Sequence, residues 1–191
     1  MNFLLVHGAG SGPWVFEGWD GEAIDLHAGL NVAAASMVNY EAAVTGDAAL
    51  VPRPLCLVGW SMGGLAVLMA ARRVEPDAIV LLEPSPPGEV QGFDDAVALE
   101  EGTYEPEEAY GAFPVRSRPE SRLARSERKR GISVPSLPHR TLVLYGDGYA
   151  EERGRPVAAL YGAEELHLPG ASHWDLVLGK RAAEMVVQWA R

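Results

Sequence analysis

Lysine is almost missing from these 191 residues, with 2 against 14 arginines, and asparagine and glutamine are scarce. Genome composition and adaptation to heat both produce such a bias. Cysteine is nearly absent as well. The single thiol, Cys56, lies inside an apolar run, which excludes a disulfide framework and marks it as a small core residue. There is no basic excess: the formal net charge of -10 argues against nucleic acid or an anionic membrane surface as a partner. No apolar run approaches membrane-spanning length, and Met1–Val6 lacks the basic start and long apolar core of a secretion signal. A cytoplasmic location is the expectation. No His/Cys/Asp/Glu spacing suggests a metal, and Gly8–Gly12 lacks the third spaced glycine of a dinucleotide fingerprint. No cofactor is expected.

What is present is a chain 48% apolar and free of repeats, long enough for one domain with a substantial core. Its organising stretch is Leu55–Met69, an apolar strand, then Gly59–Trp60–Ser61–Met62–Gly63–Gly64, then an apolar helix. A serine on a sharp strand-to-helix turn needs small neighbours so that the chain can close up. Such a turn lifts the hydroxyl above the sheet end. It also aims the first amides of the helix at any oxyanion forming beside it.

Around that stretch the chain alternates. Phe3–Val6, Leu55–Val58, Ala78–Leu82 and Thr141–Tyr145 read as strands buried on both faces. Ala23–Leu26 reads as an edge strand and Glu164–Leu168 as the last one. Helices are expected from about Trp14, over Met37–Val51, after Ser61, over Ser121–Arg130 and over Leu176–Ala190. This order implies a mostly parallel sheet flanked by helices. Residues 84–138 interrupt it. Nine carboxylates crowd residues 83–108, and seven basic groups crowd 116–130. Such blocks form solvated faces or dock on each other. The segment is read as a small, mostly helical cap.

Working groups in open α/β sheets gather at the carboxyl ends of the strands. The loops at His7–Gly12, Ser61, Glu83, Asp147 and His173 all fall there. Serine becomes a nucleophile once a base takes its proton, histidine suits that task, and a carboxylate fixes the histidine's tautomer. His7 reads as a loop-stabilising hydrogen-bonder, and His27, His139 and His167 belong to no constellation.

The stretches Leu4–Val6 with His7–Gly8–Ala9–Gly10, Gly59–Gly64 and Pro169–Gly170–Ala171–Ser172–His173 resemble the α/β-hydrolase fold superfamily over nearly the whole chain apart from the cap. The resemblance implies about six strands, the two leading strands of larger members being absent. It implies Ser61 as nucleophile, His173 as general base, and the amides of Ala9 and Met62 as oxyanion hole. The order of serine, acid and histidine along the chain matches. The acid departs from the common pattern. Three residues after Gly146, where most members carry it, stands Tyr149, while Asp147 comes one residue after the glycine. Some relatives, haloalkane dehalogenases among them, place the acid directly after the preceding strand, a position that resembles Glu83. Glu83 ranks first and Asp147 is the alternative.

Trp14, Trp60 and Trp174 lie in or beside these loops. With Phe93, Leu99 and Phe113 they make a mainly apolar acyl pocket the expectation. The reading is therefore a small serine esterase taking an uncharged carboxylic ester. A C–C hydrolase, a lyase, a thioesterase or a non-catalytic ligand-binding protein on the same fold are the rivals.

Overall fold

The computed structural model describes all residues, 1–191. Six strands, β1 (Asn2–Val6), β2 (Glu22–Ile24), β3 (Leu55–Trp60), β4 (Ala78–Leu82), β7 (Thr141–Tyr145) and β8 (Glu164–His167), form one sheet in the order β2-β1-β3-β4-β7-β8. Every pairing in it is parallel. The short, partly polar β2 is at one edge, as its composition predicts. Two further strands, β5 (Thr103–Tyr104) and β6 (Glu120–Ser121), pair antiparallel outside this sheet.

The central strands read as continuous apolar runs because both faces are covered. Side-chain alternation sorts them. Leu4, Val6, Leu55, Leu57, Ile79, Leu81 and Val143 pack with α1 (Met37–Ala48), α2 (Met62–Val74) and α6 (Arg155–Tyr161). Leu5, Cys56, Val58, Val80, Leu82 and Leu144 pack with α7 (Asp175–Leu178) and α8 (Lys180–Trp189) on the other face. Burial pushes the Cys56 thiol up to about 12, consistent with a core role.

Four elements differ from the sequence reading, the first being the helix expected from about Trp14, which is a single turn over Pro13–Phe16. The helix expected over Met37–Val51 starts on a capping box between Ser36 and Asn39 and ends at Ala48. Beyond it, Leu50 and Val51 donate to carbonyls three residues back, so the ladder tightens into turns before Pro52. The closing helix is broken at Gly179, whose extended backbone (φ -86°, ψ 130°) separates α7 from α8. A Cβ there would meet the Asp175 carbonyl oxygen at 2.4 Å. Helix α6 was not anticipated; Pro156 lies in its first turn and Gly162 terminates it in the left-handed region.

Between β4 and β7 the chain forms α3 (Gly88–Gln91), β5, α4 (Glu107–Ala112), β6 and α5 (Arg122–Arg130). It is less helical than expected. Gly92 and Gly102 take φ of 95° and 100°, conformations that do not continue a helix. The acidic and basic blocks do meet, through Arg122–Glu100 at 3.5 Å and Arg130–Asp95 at 3.2 Å. Both pairs are exposed and contribute little. Helix α5 follows its sequence signals, with the Ser121 hydroxyl accepting from the Ala124 amide, and Gly131 ending it.

Candidate active site

The turn from β3 into α2 is closed by backbone contacts that leave no room for side chains. A Cβ on Gly63 would lie 2.3 Å from the His7 carbonyl oxygen, and one on Gly59 would lie 2.6 Å from the Gly64 Cα. Between them Ser61 takes φ 52° and ψ -122°, outside the helix and strand regions. The surroundings hold it there. Its amide donates to Leu82 O at 3.1 Å, and its carbonyl accepts from Ser85 N at 2.7 Å and Gly64 N at 3.0 Å. Met62 follows as the first residue of α2, so its amide is one of those a helix leaves without an intrahelical acceptor.

His173 lies in the loop after β8 and is buried. Its Nδ1 is 2.6 Å from Oε2 of Glu83, which is fully buried at the end of β4. Glu83 has φ 40°, a second left-handed residue at this sheet end, and its Oε1 accepts from Gly146 N at 2.7 Å. Trp60, one residue before Ser61, donates its indole N–H to His173 O at 3.1 Å, and its ring centroid is 4.7 Å from the imidazole. One strand end thus supports both the serine and the histidine.

Asp147 does not reach His173. It is exposed, pairs with His167 Nε2 at 2.6 Å and accepts from Gly170 N at 2.8 Å, tying down the loop that leads to His173. Tyr149, where the common pattern has an acid, packs edge-on against the His173 ring at 5.2 Å.

Ser61 and His173 line one cavity of about 280 Å³, together with Ala9, Trp60 and Trp174 from the sheet side and Ser85 just after β4. From the chain between β4 and β7 come Tyr104, Pro106, Glu107, Glu108, Ala109, Arg125 and Arg128, and Arg153 closes the wall. Neither Ser61 Oγ nor His173 Nε2 makes a hydrogen bond within the chain, to each other or to any other group, and both residues line this cavity.

No family model matches the sequence, and no curated protein matches it. Solved structures do match in shape. A methylesterase protein from Arabidopsis aligns over 100% of this chain and 98% of its own, with TM-score 0.74 and 14% identity. Tomato methylketone synthase I, solved with 2-tridecanone, aligns over 99% of this chain and 97% of its own, with TM-score 0.67 and 17% identity. The RedJ thioesterase of prodiginine biosynthesis in Streptomyces coelicolor aligns over 99% and 88%, with TM-score 0.68 and 17% identity. This chain has the α/β-hydrolase fold. At these identities the likeness carries the fold, and the chemistry rests on the chain's own residues.

On this α/β-hydrolase fold the pocket differs from the sequence reading. Only 5 of its 14 lining residues are hydrophobic, so it is not the mainly apolar acyl pocket expected. Phe93 and Leu99 are exposed, 60% and 51%, and do not line this cavity. Trp60 and Trp174 do reach the cavity. Trp14 does not: it stacks on Trp174 at 6.2 Å and packs edge-on to Phe113 at 5.3 Å. Arg125 and Arg128 in the wall were missed because on α5 they read as one solvated basic face. Their i, i+3 spacing was the available signal.

The glycine-rich loop after β1 is held by side chains from far along the chain. His7 accepts from Leu26 N at 3.1 Å, and its other ring nitrogen is 2.9 Å from Gly8 O. Burial holds the His7 ring below its ordinary basicity. Arg118 donates to Ser11 O at 2.8 Å and forks onto Asp25. Glu120 accepts from Gly10 N at 3.3 Å, from Tyr40 OH, and from the Ser121 amide at 2.9 Å, and stands 3.1 Å from His27 Nε2. His27 therefore belongs to a buried network after all. Ala9, in the middle of the loop, keeps an amide with no acceptor in the chain.

Glu120 is fully buried, and desolvation alone would raise its carboxyl. The bonds from His27, Tyr40 and the Ser121 amide outweigh that and lower it from 4.5 to about 2. A carboxyl depressed in the folded state contributes stability above its unfolded value and loses it as pH falls through the folded one. Wild type is expected to exceed Glu120→Gln by about 3 kcal/mol at neutral pH, the gap closing between pH 4.5 and 2. Urea unfolding of both proteins across that range measures it. A gap independent of pH would assign the effect of the substitution to packing.

Proposed function

We propose that the chain is a serine hydrolase of carboxylic esters that works through an acyl-enzyme. The observation that carries this reading is the buried His173–Glu83 pair at 2.6 Å, opening on the cavity that holds Ser61. Ser61 Oγ attacks the ester carbonyl carbon as His173 Nε2 takes its proton. Glu83 holds the Nδ1–H tautomer and stabilises the imidazolium. The free amide of Ala9 and the first amide of α2, that of Met62, donate to the developing oxyanion. Collapse of the tetrahedral intermediate breaks the C–O bond, and His173 returns the proton to the leaving alkoxide. Water, deprotonated by the same ring, then attacks the acyl carbon; the bond to Ser61 Oγ breaks, the serine takes its proton back from His173, and the acid leaves. Residues 84–138 act as the cap, since they supply eight of the fourteen residues in the cavity wall.

The test is covalent. A fluorophosphonate is expected to leave one adduct, on the peptide that carries Ser61, with parallel loss of p-nitrophenyl ester hydrolysis. An adduct elsewhere, or none in folded protein, overturns the reading. A protein that only binds ligands would take up no label and lose nothing on Ser61→Ala.

A further inference from the structure

Arg125 and Arg128 stand three apart on α5, so they share one face of the helix, and both line the Ser61 cavity. Arg153, from the turn after β7, joins them in the same wall. These three differ from most of the chain's arginines. Eight of the fourteen hold a carboxylate within 4 Å. Arg125, Arg128 and Arg153 hold none.

They are oriented all the same. Arg125 lies over the Tyr104 ring at 4.5 Å, and Arg128 donates to Tyr104 OH at 3.3 Å and to Ala124 O at 3.3 Å. Arg153 lies over Tyr149 at 3.9 Å, and that ring in turn packs against His173. Stacking occupies the guanidinium faces of Arg125 and Arg153 and leaves their N–H edges unused, the edges that grip a carboxylate or phosphate in a planar fork, while Arg128 keeps its Nη1 without a partner. Arg128 and Arg153 are half-buried, so their charge is less screened than on an open surface. Glu107 and Glu108 also line the cavity, but both are exposed on α4 and neither pairs with the three arginines.

We propose that Arg125, Arg128 and Arg153 bind an anionic group of the substrate, a carboxylate or a phosphate, so that the enzyme takes negatively charged esters in place of the uncharged one expected from the sequence. This rests on the serine hydrolase reading and adds the substrate's charge to it. The anion bridges the α5 wall and the Arg153 turn while the ester carbonyl sits over Ser61.

Two matched pairs of substrates test it. Mono-p-nitrophenyl adipate against p-nitrophenyl hexanoate puts the charge on the acyl side. 4-Carboxyphenyl pentanoate against 4-carbamoylphenyl pentanoate puts it on the alcohol side. For at least one pair, kcat/KM is expected to favour the anion by about tenfold or more, mainly through KM, with the preference shrinking as salt rises. In Arg128→Gln/Arg153→Gln the ratio is expected to fall to near one, and the corresponding double lysine variant regains part of it. Should the double variant fail to fold, the wild-type ratio and its salt dependence still decide. Equal or better turnover of both neutral esters, or a preference that persists in the folded double variant, overturns the proposal. Fluorophosphonate labelling of Ser61 with no turnover of either anionic ester overturns the charge proposal alone. Absence of label in folded protein overturns the hydrolase reading with it.

Discussion

Ser61→Ala is expected to lower kcat for a p-nitrophenyl ester by about five to six orders of magnitude, because in the proposed mechanism the nucleophile and its base act as one unit. What remains is turnover supported by the free amides of Ala9 and Met62 and by binding alone. The fold is expected to survive. Ser61 is held by three backbone hydrogen bonds, and its hydroxyl makes none within the chain, so truncation removes no structural contact. Alanine meets the same backbone strain at φ 52°, and the left-handed position neither gains nor loses much. Circular dichroism with steady-state kinetics separates the two effects. Retention of more than about a hundredth of wild-type activity would show that another group attacks the ester.

Glu83→Gln is expected to cost about four orders of magnitude in kcat, while Asp147→Asn costs less than about tenfold. The reason is donor and acceptor count. Glu83 accepts at both oxygens, from Gly146 N at 2.7 Å and from the imidazole Nδ1 side at 2.6 Å. A glutamine has one acceptor and one donor. Keeping the Gly146 bond turns its NH2 toward Nδ1, which must then accept and leave the proton on Nε2, the nitrogen that has to take the serine's proton. The alternative rotamer sets its NH2 against the Gly146 amide in a fully buried site. Asp147→Asn still accepts from Gly170 N and loses only charge in an exposed pair with His167. The opposite ranking of the two variants would move the acid to Asp147.

The elements that organise this site were legible because each is written in adjacent residues. A buried strand, glycines at positions where a Cβ would strike backbone, a serine, and an apolar helix specify the Gly59–Gly64 turn locally. The pairing of His173 with one of two carboxylates was not local. Glu83 and Asp147 both sit at strand ends, and the loop after β8 swings its histidine toward β4 while using Asp147 as its own anchor. Pocket chemistry was harder still. Arg125 and Arg128 on a strongly basic helix resemble any solvated face. Glu120, in a segment read as cap, proves to be buried under the Gly8–Gly12 loop with His27 and Tyr40.

By itself the sequence determined the parallel α/β sheet and the strained serine at its rim, since side-chain alternation, glycine placement and helix signals act over a few residues. Tertiary structure alone decided which carboxylate backs His173, and that the cavity wall carries three unpaired arginines in place of an apolar lining. Those outcomes depend on how the chain between β4 and β7 lies across the strand ends, a packing of residues distant in sequence that no local pattern encodes.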